Sequence, residues 1–277
     1  MDIRYLQTLL DVVEGGSLAE AARRQNLTAA AVGQRLKALE NELGVVLVRR
    51  SGPTVRATPA CTRIIPRIKM IIAETALLPS DIAADGLAGP YRLGVISTAL
   101  ADHVPSLIKH LQAVAPDVDL TITPGSSAHL FDLLSRAELD AAILVAPHFA
   151  LPKSVRCKVL EQQSFAWVTP TKAASSDLPL IVYDKTSWGG EIAWRWIAQN
   201  LRSQNVLCEM DAPETVASLV AGSAGRAILP IWAGLSNTAG IDIEIIPELP
   251  KRSVVFAHSA SPIDEACQAF FKRKFAL

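Results

Sequence analysis

Three groups of side chains in this sequence are of kinds that bind rather than transform. The first is Ala29, Ala30, Gly33, Gln34 and Lys37, within the run LTAAAVGQRLKALE. At helical spacing these five share one face, small enough for another molecule to approach closely and equipped with an amide and an ammonium for hydrogen bonding. The second is Arg49, Arg50 and Arg56, flanking a Ser51-Gly52-Pro53 turn, where a hairpin would offer guanidinium groups to phosphates. The third is Ser97-Thr98 after the apolar run YRLGVI, and Gly125-Ser126-Ser127 with His129 after VDLTITP. A helix opened by such a loop, beyond the carboxyl end of a strand, exposes N–H groups and a partial positive charge to a small polar or anionic molecule. Ordinary helix capping by Ser and Thr accounts for these hydroxyls equally well, and a structural histidine is the commoner outcome for His129.

Catalytic groupings are missing from the chain. There is no G-x-S-x-G elbow, and AGSAGRA has neither the glycine spacing nor the strand-turn-helix setting of a phosphate loop. The four cysteines, Cys61, Cys157, Cys208 and Cys267, are far apart and lack a C-x-x-C pair, so no disulfide framework, metal site or cofactor is expected. Cys208, in NVLCEM, reads as a core thiol. An enzyme is therefore not expected.

The elements that would position the binding groups follow from composition and periodicity. With 277 residues, 50% of them hydrophobic, the chain has enough apolar material for two domains with cores. Its formal net charge is zero, yet residues 1–69 hold eleven Lys and Arg against six Asp and Glu. The amino-terminal quarter is basic and the remainder acidic, the pattern of an arm for a polyanion joined to a different kind of body. Charges at Asp2, Arg4, Asp11 and Glu14 exclude a signal peptide, and no apolar run nears the roughly 18 residues of a membrane span, so a soluble cytoplasmic protein is expected.

Residues 2–14 carry Ile3, Leu6, Leu9, Leu10 and Val13 at helical spacing, and Gly15-Gly16 ends that helix. Ser17 with Glu20 forms a capping box for a second short helix, which Asn26 and Leu27 break. Thr28 caps a third, whose Val32, Leu36, Leu39 and Leu43 form one buried stripe closed by Gly44. Two helices across a tight turn, followed by a basic hairpin, fit a winged helix-turn-helix. Periodicity alone fits a small helical bundle with solvated arginines as well. From Pro59 to the stop at Pro79, Cys61, Ile65, Ile68, Ile72 and Thr75 follow the 3.5-residue rhythm of a helix-pairing seam, with Pro66 a source of a kink.

The succession helix, GGS-L-x-x-A-A, L-T-x-x-x-V, L-x-x-L-E-x-E-L-G, L-x-R-R and T-P, over residues 2–62, resembles the amino-terminal domain of LysR-type transcriptional regulators. The resemblance implies that helix 28–41 reads DNA. Where the family carries a Ser-Gln-Pro-Ala-Leu-Ser-Arg-like run, this chain has Thr28-Ala29-Ala30-Ala31-Val32-Gly33-Gln34. Alanine against thymine methyls and Gln34 against adenine imply an A·T-leaning site. Domains are expected at 1–58 (winged helix-turn-helix), 59–88 (linker and dimerisation helix, with the hinge near Asp85-Gly86-Leu87-Ala88-Gly89-Pro90) and 89–277.

Beyond the hinge, strands YRLGVIS, VDLTITPG and AAILVAP alternate with helices HVPSLIKHLQAVAP and SAHLFDLLSRAELD, and a second such unit follows, which argues for parallel α/β sheets. The looser resemblance over 89–257 implies a periplasmic-binding-protein-like body of two subdomains, one of residues 89–162 and 254–277, the other 163–253. An effector cleft between them would be lined by Ser97, Thr98, Ser126, Ser127 and His129, and closed by Thr186, Ser187, Trp188, Pro213 and Glu214. A small organic effector such as a carboxylate is implied, although neither loop of the first subdomain contains an arginine clamp. Double-stranded DNA carrying an interrupted inverted repeat and a homodimer or homotetramer are the further partners implied, with no membrane. A transport-type solute-binding protein without a DNA role is the alternative for the body alone.

Overall fold

The computed structural model describes residues 1–52, 54–76, 78, 82, 86–152, 155–171, 178–201, 205–258 and 261–275. Pro53, Pro79 and Asp85, assigned above to a turn, a helix stop and the hinge, lie outside them. The chain divides into two compact units, one of Met1–Leu78 with Arg136–Glu138, the other of Pro79–Ser135 and Leu139–Leu277.

In the first unit, α1 (Ile3–Gly15) is capped by Asp2 and stopped by Gly16, whose φ of 65° suits glycine. Ser17 caps α2 (Leu18–Gln25) by accepting the Glu20 N–H at 3.1 Å. The reciprocal half of the capping box does not form, because the Glu20 carboxylate turns to Arg23 and Arg24. Asn26, at φ 53°, ends α2, and Thr28 accepts the Ala31 N–H at 3.1 Å to open α3 (Ala29–Leu43). Leu6, Leu9, Leu10 and Val12 of α1, Ala21 and Ala22 of α2, and Val32, Leu36 and Leu39 of α3 make one core. Leu43, expected in that stripe, lies in the last turn of α3 and is exposed.

Strands β1 (Val48–Ser51) and β2 (Thr54–Ala57) pair antiparallel as the wing. Two sets of bonds fix it. The Glu40 carboxylate accepts the Leu47 and Val48 N–H groups at 2.7 and 3.1 Å, and the Val55 N–H donates to the Gly16 carbonyl at 2.7 Å. Helix α4 (Pro59–Ala76) contains Pro66, and its seam is divided. Cys61 and Ile68 are buried in their own unit's core, Ile65 and Ile72 are half-covered, and Thr75 is exposed. The expected five-residue seam is therefore not one continuous exposed stripe, since the unit's own core covers Cys61 and Ile68.

The second unit holds a five-stranded sheet in the order β4-β3-β5-β12-β6. Its strands are β3 (Ala88–Val95), β4 (Asp117–Pro124), β5 (Ala141–Val145), β6 (Arg156–Gln163) and β12 (Arg252–His258). Helices α5 (Ser97–Val114), α6 (Ser127–Ser135) and α10 (Pro262–Phe275) belong with it. The other subdomain combines β10-β7-β11 with the parallel pair β8-β9. These are β7 (Phe165–Pro170), β8 (Leu180–Tyr183), β9 (Val206–Met210), β10 (Ala227–Pro230) and β11 (Ile241–Ile245), with α7 (Gly190–Asn200), α8 (Pro213–Ala221) and the short α9 (Ala233–Ser236).

Purely parallel sheets were the expectation, and the sheets are mixed. Strand β12 runs antiparallel to β5 and β6, and β7 antiparallel to β10 and β11, because the chain crosses between subdomains and re-enters each sheet from the far end. Gln163 and Arg252 are register partners in the first sheet, so the second subdomain begins after Gln163 and ends before Arg252. Strands β6 and β11, absent from the sequence expectation, are sheet edges without continuous apolar runs. Cys208 is half-buried rather than part of a closed core. No helix among the described residues is long and apolar enough to cross a membrane.

Leu39, fully buried, and Thr28, a single cap, bracket the energetics of α3. Leu39→Ala is expected to destabilise the protein by about 2–5 kcal/mol, and Thr28→Ala by about 1 kcal/mol. Urea unfolding measures both, and equal losses would contradict the packing described.

Candidate functional site

Helix α3 turns its apolar side inward and its small side out. Ala29, Ala30, Gln34 and Lys37 are exposed, Gly33 is half-covered, and all five border one shallow depression with Leu18 of α2 and Arg50 of the wing. A methyl group on Gly33 would come within 3.3 Å of the Arg50 guanidinium, so glycine makes room for that side chain beside the helix. Arg49, Arg50 and Arg56 do not form a single cluster. Arg49 stands directly opposite Arg56 on one side of the hairpin, whereas Arg50 is opposite the buried Val55 on the other. Alternation along β1 thus sends Arg50 toward α3 and the other two to the wing's outer face. Among the described residues, none of these arginines nor Lys37 is ion-paired to a carboxylate, so the surface keeps its positive charge.

The second unit contains a cavity of about 290 Å³ at the carboxyl ends of β3, β4 and β5. Ser97, Thr98, Ser126, Ser127, Trp188 and Pro213 line it, together with Gly125 and Ser187. His129 and Thr186 do not. His129 packs beside Gly125 outside the lining, and Thr186 is drawn away by two 2.7 Å bonds to the Asp184 carboxylate. Glu214 also falls outside. The Ser127 hydroxyl has a structural task, accepting the Val145 N–H at 3.0 Å.

Arg252, Tyr183 and Asp211 also line it, and sequence reasoning missed all three. Arg252 is 1% exposed. Its Nε donates to Gln163 Oε1 at 2.7 Å, one terminal nitrogen to the Tyr183 hydroxyl at 3.2 Å, and the other to Thr98 Oγ1 at 3.1 Å. Every one of these acceptors is neutral, and no carboxylate of the described residues stands within ion-pairing distance. Burial therefore pushes the Arg252 pKa down, against the weaker pull of Tyr183, Glu161 and Glu214. A guanidinium has five N–H groups, so one on each terminal nitrogen is still to be satisfied. Gly189 leaves space for the assembly, since a Cβ there would lie 2.7 Å from the Tyr183 hydroxyl and 3.1 Å from the guanidinium. Gln163 is held in turn by donating to Glu161 at 2.7 Å. The available signal was a cation at the head of the apolar run SVVFAH, where the chain returns to the first sheet.

Among the described residues no group of three or more His, Cys, Asp or Glu could hold a metal ion. The cysteines are free, and burial raises Cys61 to about 11.

An amphipathic reading helix with a basic wing, followed by a two-subdomain body around a small polar cavity, defines a DNA-binding regulator with an effector domain. The chain belongs to the LysR family: residues 3–62 match the bacterial regulatory helix-turn-helix of the lysR family, and residues 84–273 the LysR substrate binding domain. It is 25% identical to the transcriptional regulator IlvR of Caulobacter vibrioides over 89% of this chain and 87% of that one. Identity to the regulator IlvY of Escherichia coli K12 is also 25%, over 83% and 82% of the two chains. In fold it resembles a full-length OxyR variant from Pseudomonas aeruginosa, with a TM-score of 0.70 and 24% identity over 98% and 95% of the chains. The LysR-family regulator CbnR is similar at a TM-score of 0.69 and 15% identity, with 99% of each chain covered. The protein is a transcriptional regulator and not an enzyme, and the transport-only alternative falls with the helix-turn-helix match.

Asp211, at the cavity rim, has its pKa raised by partial desolvation first, then by the charge of Asp184, against the pull of Arg252, with Glu214 adding to the rise. The folded pKa lies above the unfolded one, so its contribution to stability is full below 3.8 and is lost as pH climbs through the raised value. Asp211→Asn is accordingly expected to raise the melting temperature at pH 7 and to leave it unchanged at pH 3. A decrease at pH 7 would show that the carboxylate is stabilising.

Proposed function

We propose that this regulator grips DNA as a homodimer or homotetramer, on an interrupted inverted repeat with half-sites a whole number of helical turns apart. Helix α3 enters the major groove with Ala29, Ala30, Gly33, Gln34 and Lys37, while Arg50 beside it and Arg49 and Arg56 on the wing meet phosphates. The observation that carries this reading is the exposure of the small-residue face while Val32, Leu36 and Leu39 are buried behind it. Alanines against thymine methyls and Gln34 against adenine favour A·T-rich half-sites. Pairing through α4 uses the half-covered Ile65 and Ile72.

The effector carries a carboxylate, received by the two uncommitted N–H groups of Arg252 with Thr98, Ser97 and Ser126 around it. Its binding draws together the subdomain bearing Thr98 and the one bearing Tyr183, both already bonded to Arg252. That shift biases how the subunits sit on the operator.

DNA upstream of the protein's own gene, titrated with full-length protein across a salt series, tests the interface. Arg50→Ala is expected to weaken binding to every sequence alike and to reduce the salt slope by about one. Gln34→Ala is expected to alter base preference, by about 1–3 kcal/mol at the contacted pair. G-rich half-sites from binding-site selection, or an unaltered base profile for Gln34→Ala, would contradict the assignment.

A further inference from the structure

The charge around the cavity is lopsided in a way that a simple carboxylate does not answer. Its first-subdomain side offers Arg252, a buried cation bonded only to neutral oxygens. Its second-subdomain side offers Asp211, just beyond the end of β9, and the charged groups acting on that carboxylate are Asp184, Arg252 and Glu214. Asp211 thus faces two like charges and one opposite charge. Glu214, in the first turn of α8, has its Oε1 buried without a hydrogen-bond partner. Lys185, the neighbouring ammonium, is taken by Glu209 at 3.2 Å. A bare anion entering this space is attracted at one end and repelled at the other. A positive group placed beside Asp211 removes that repulsion and gains a charge-assisted hydrogen bond.

A cavity of about 290 Å³ is at the small end for ligand sites, so the two opposite charges of its occupant must be close together. We propose that the effector is a small α-amino acid, its carboxylate on Arg252 and its ammonium on Asp211. This rests on the assignment of the cavity as the effector site, and it narrows the class from carboxylates to zwitterions. One ligand then bridges the two subdomains by opposite charges, the carboxylate on the first and the ammonium on the second. The Ser97 and Ser126 hydroxyls add neutral hydrogen bonds, and Trp188 forms an apolar wall for the side chain.

The test is calorimetric titration of the full-length protein with the twenty common amino acids, each beside the acid that lacks its α-amino group (L-alanine beside propionate, for instance). At least one amino acid is expected to bind roughly tenfold or more tightly than its deamino counterpart, the scale of one charge-assisted bond. Asp211→Asn is expected to bring that ratio close to one while the deamino acid binds at least as well as before. The proposal is overturned if a deamino acid equals the best amino acid, if no amino acid binds, or if Asp211→Asn leaves the ratio intact. Failure of the underlying site has a different signature: Arg252→Gln would leave the affinities of both members of a pair unchanged.

Discussion

Arg252 is a full positive charge sealed inside protein and bonded solely to an amide, a phenol and an alcohol. A buried charge without an opposite charge is costly, and the structure around it reads as the management of that cost. Gln163 and Arg252 stand opposite each other where the chain passes between subdomains, so the guanidinium is fixed at the crossing itself. Thr98 holds it from the first subdomain and Tyr183 from the second. The cavity opens at the place where the remaining donors are left.

The first unit obeys a simpler constraint, division of a helix into a dry side and a wet side. Val32, Leu36 and Leu39 anchor α3 to α1 and α2, and Glu40 orients the wing by accepting two backbone N–H groups. With its back fixed, α3 can carry alanines and a glycine on its front without loss to the core, and Arg50 settles against Gly33. The seam of α4 shows the limit of that division: Cys61 and Ile68 are buried in their own unit's core, while Ile65 and Ile72 are only half-covered by it.

Local signals were legible wherever a residue acts within a few positions of itself. Gly16, Asn26 and Gly44 at positive φ, and Thr28 as a cap, follow from backbone chemistry alone. Ser97, Thr98, Ser126, Ser127, Trp188 and Pro213 came from strand-end logic and family resemblance, and they do line one cavity. His129 and Thr186 fall outside that lining, and the Asp184 bonds that hold Thr186 depend on the folded chain. Arg252 and Asp211 stayed hidden because the cavity gathers them from segments distant in sequence. The antiparallel return of β12 was hidden for the same reason, since strand direction is set by a crossing and not by composition.

The most direct examination is a high-resolution structure of the full-length protein with its tightest-binding carboxylate-containing ligand. A carboxylate is expected within hydrogen-bonding distance of both Arg252 terminal nitrogens, with the Thr98 and Tyr183 contacts retained. A ligand seated elsewhere, with the guanidinium still facing neutral oxygens alone, would contradict it.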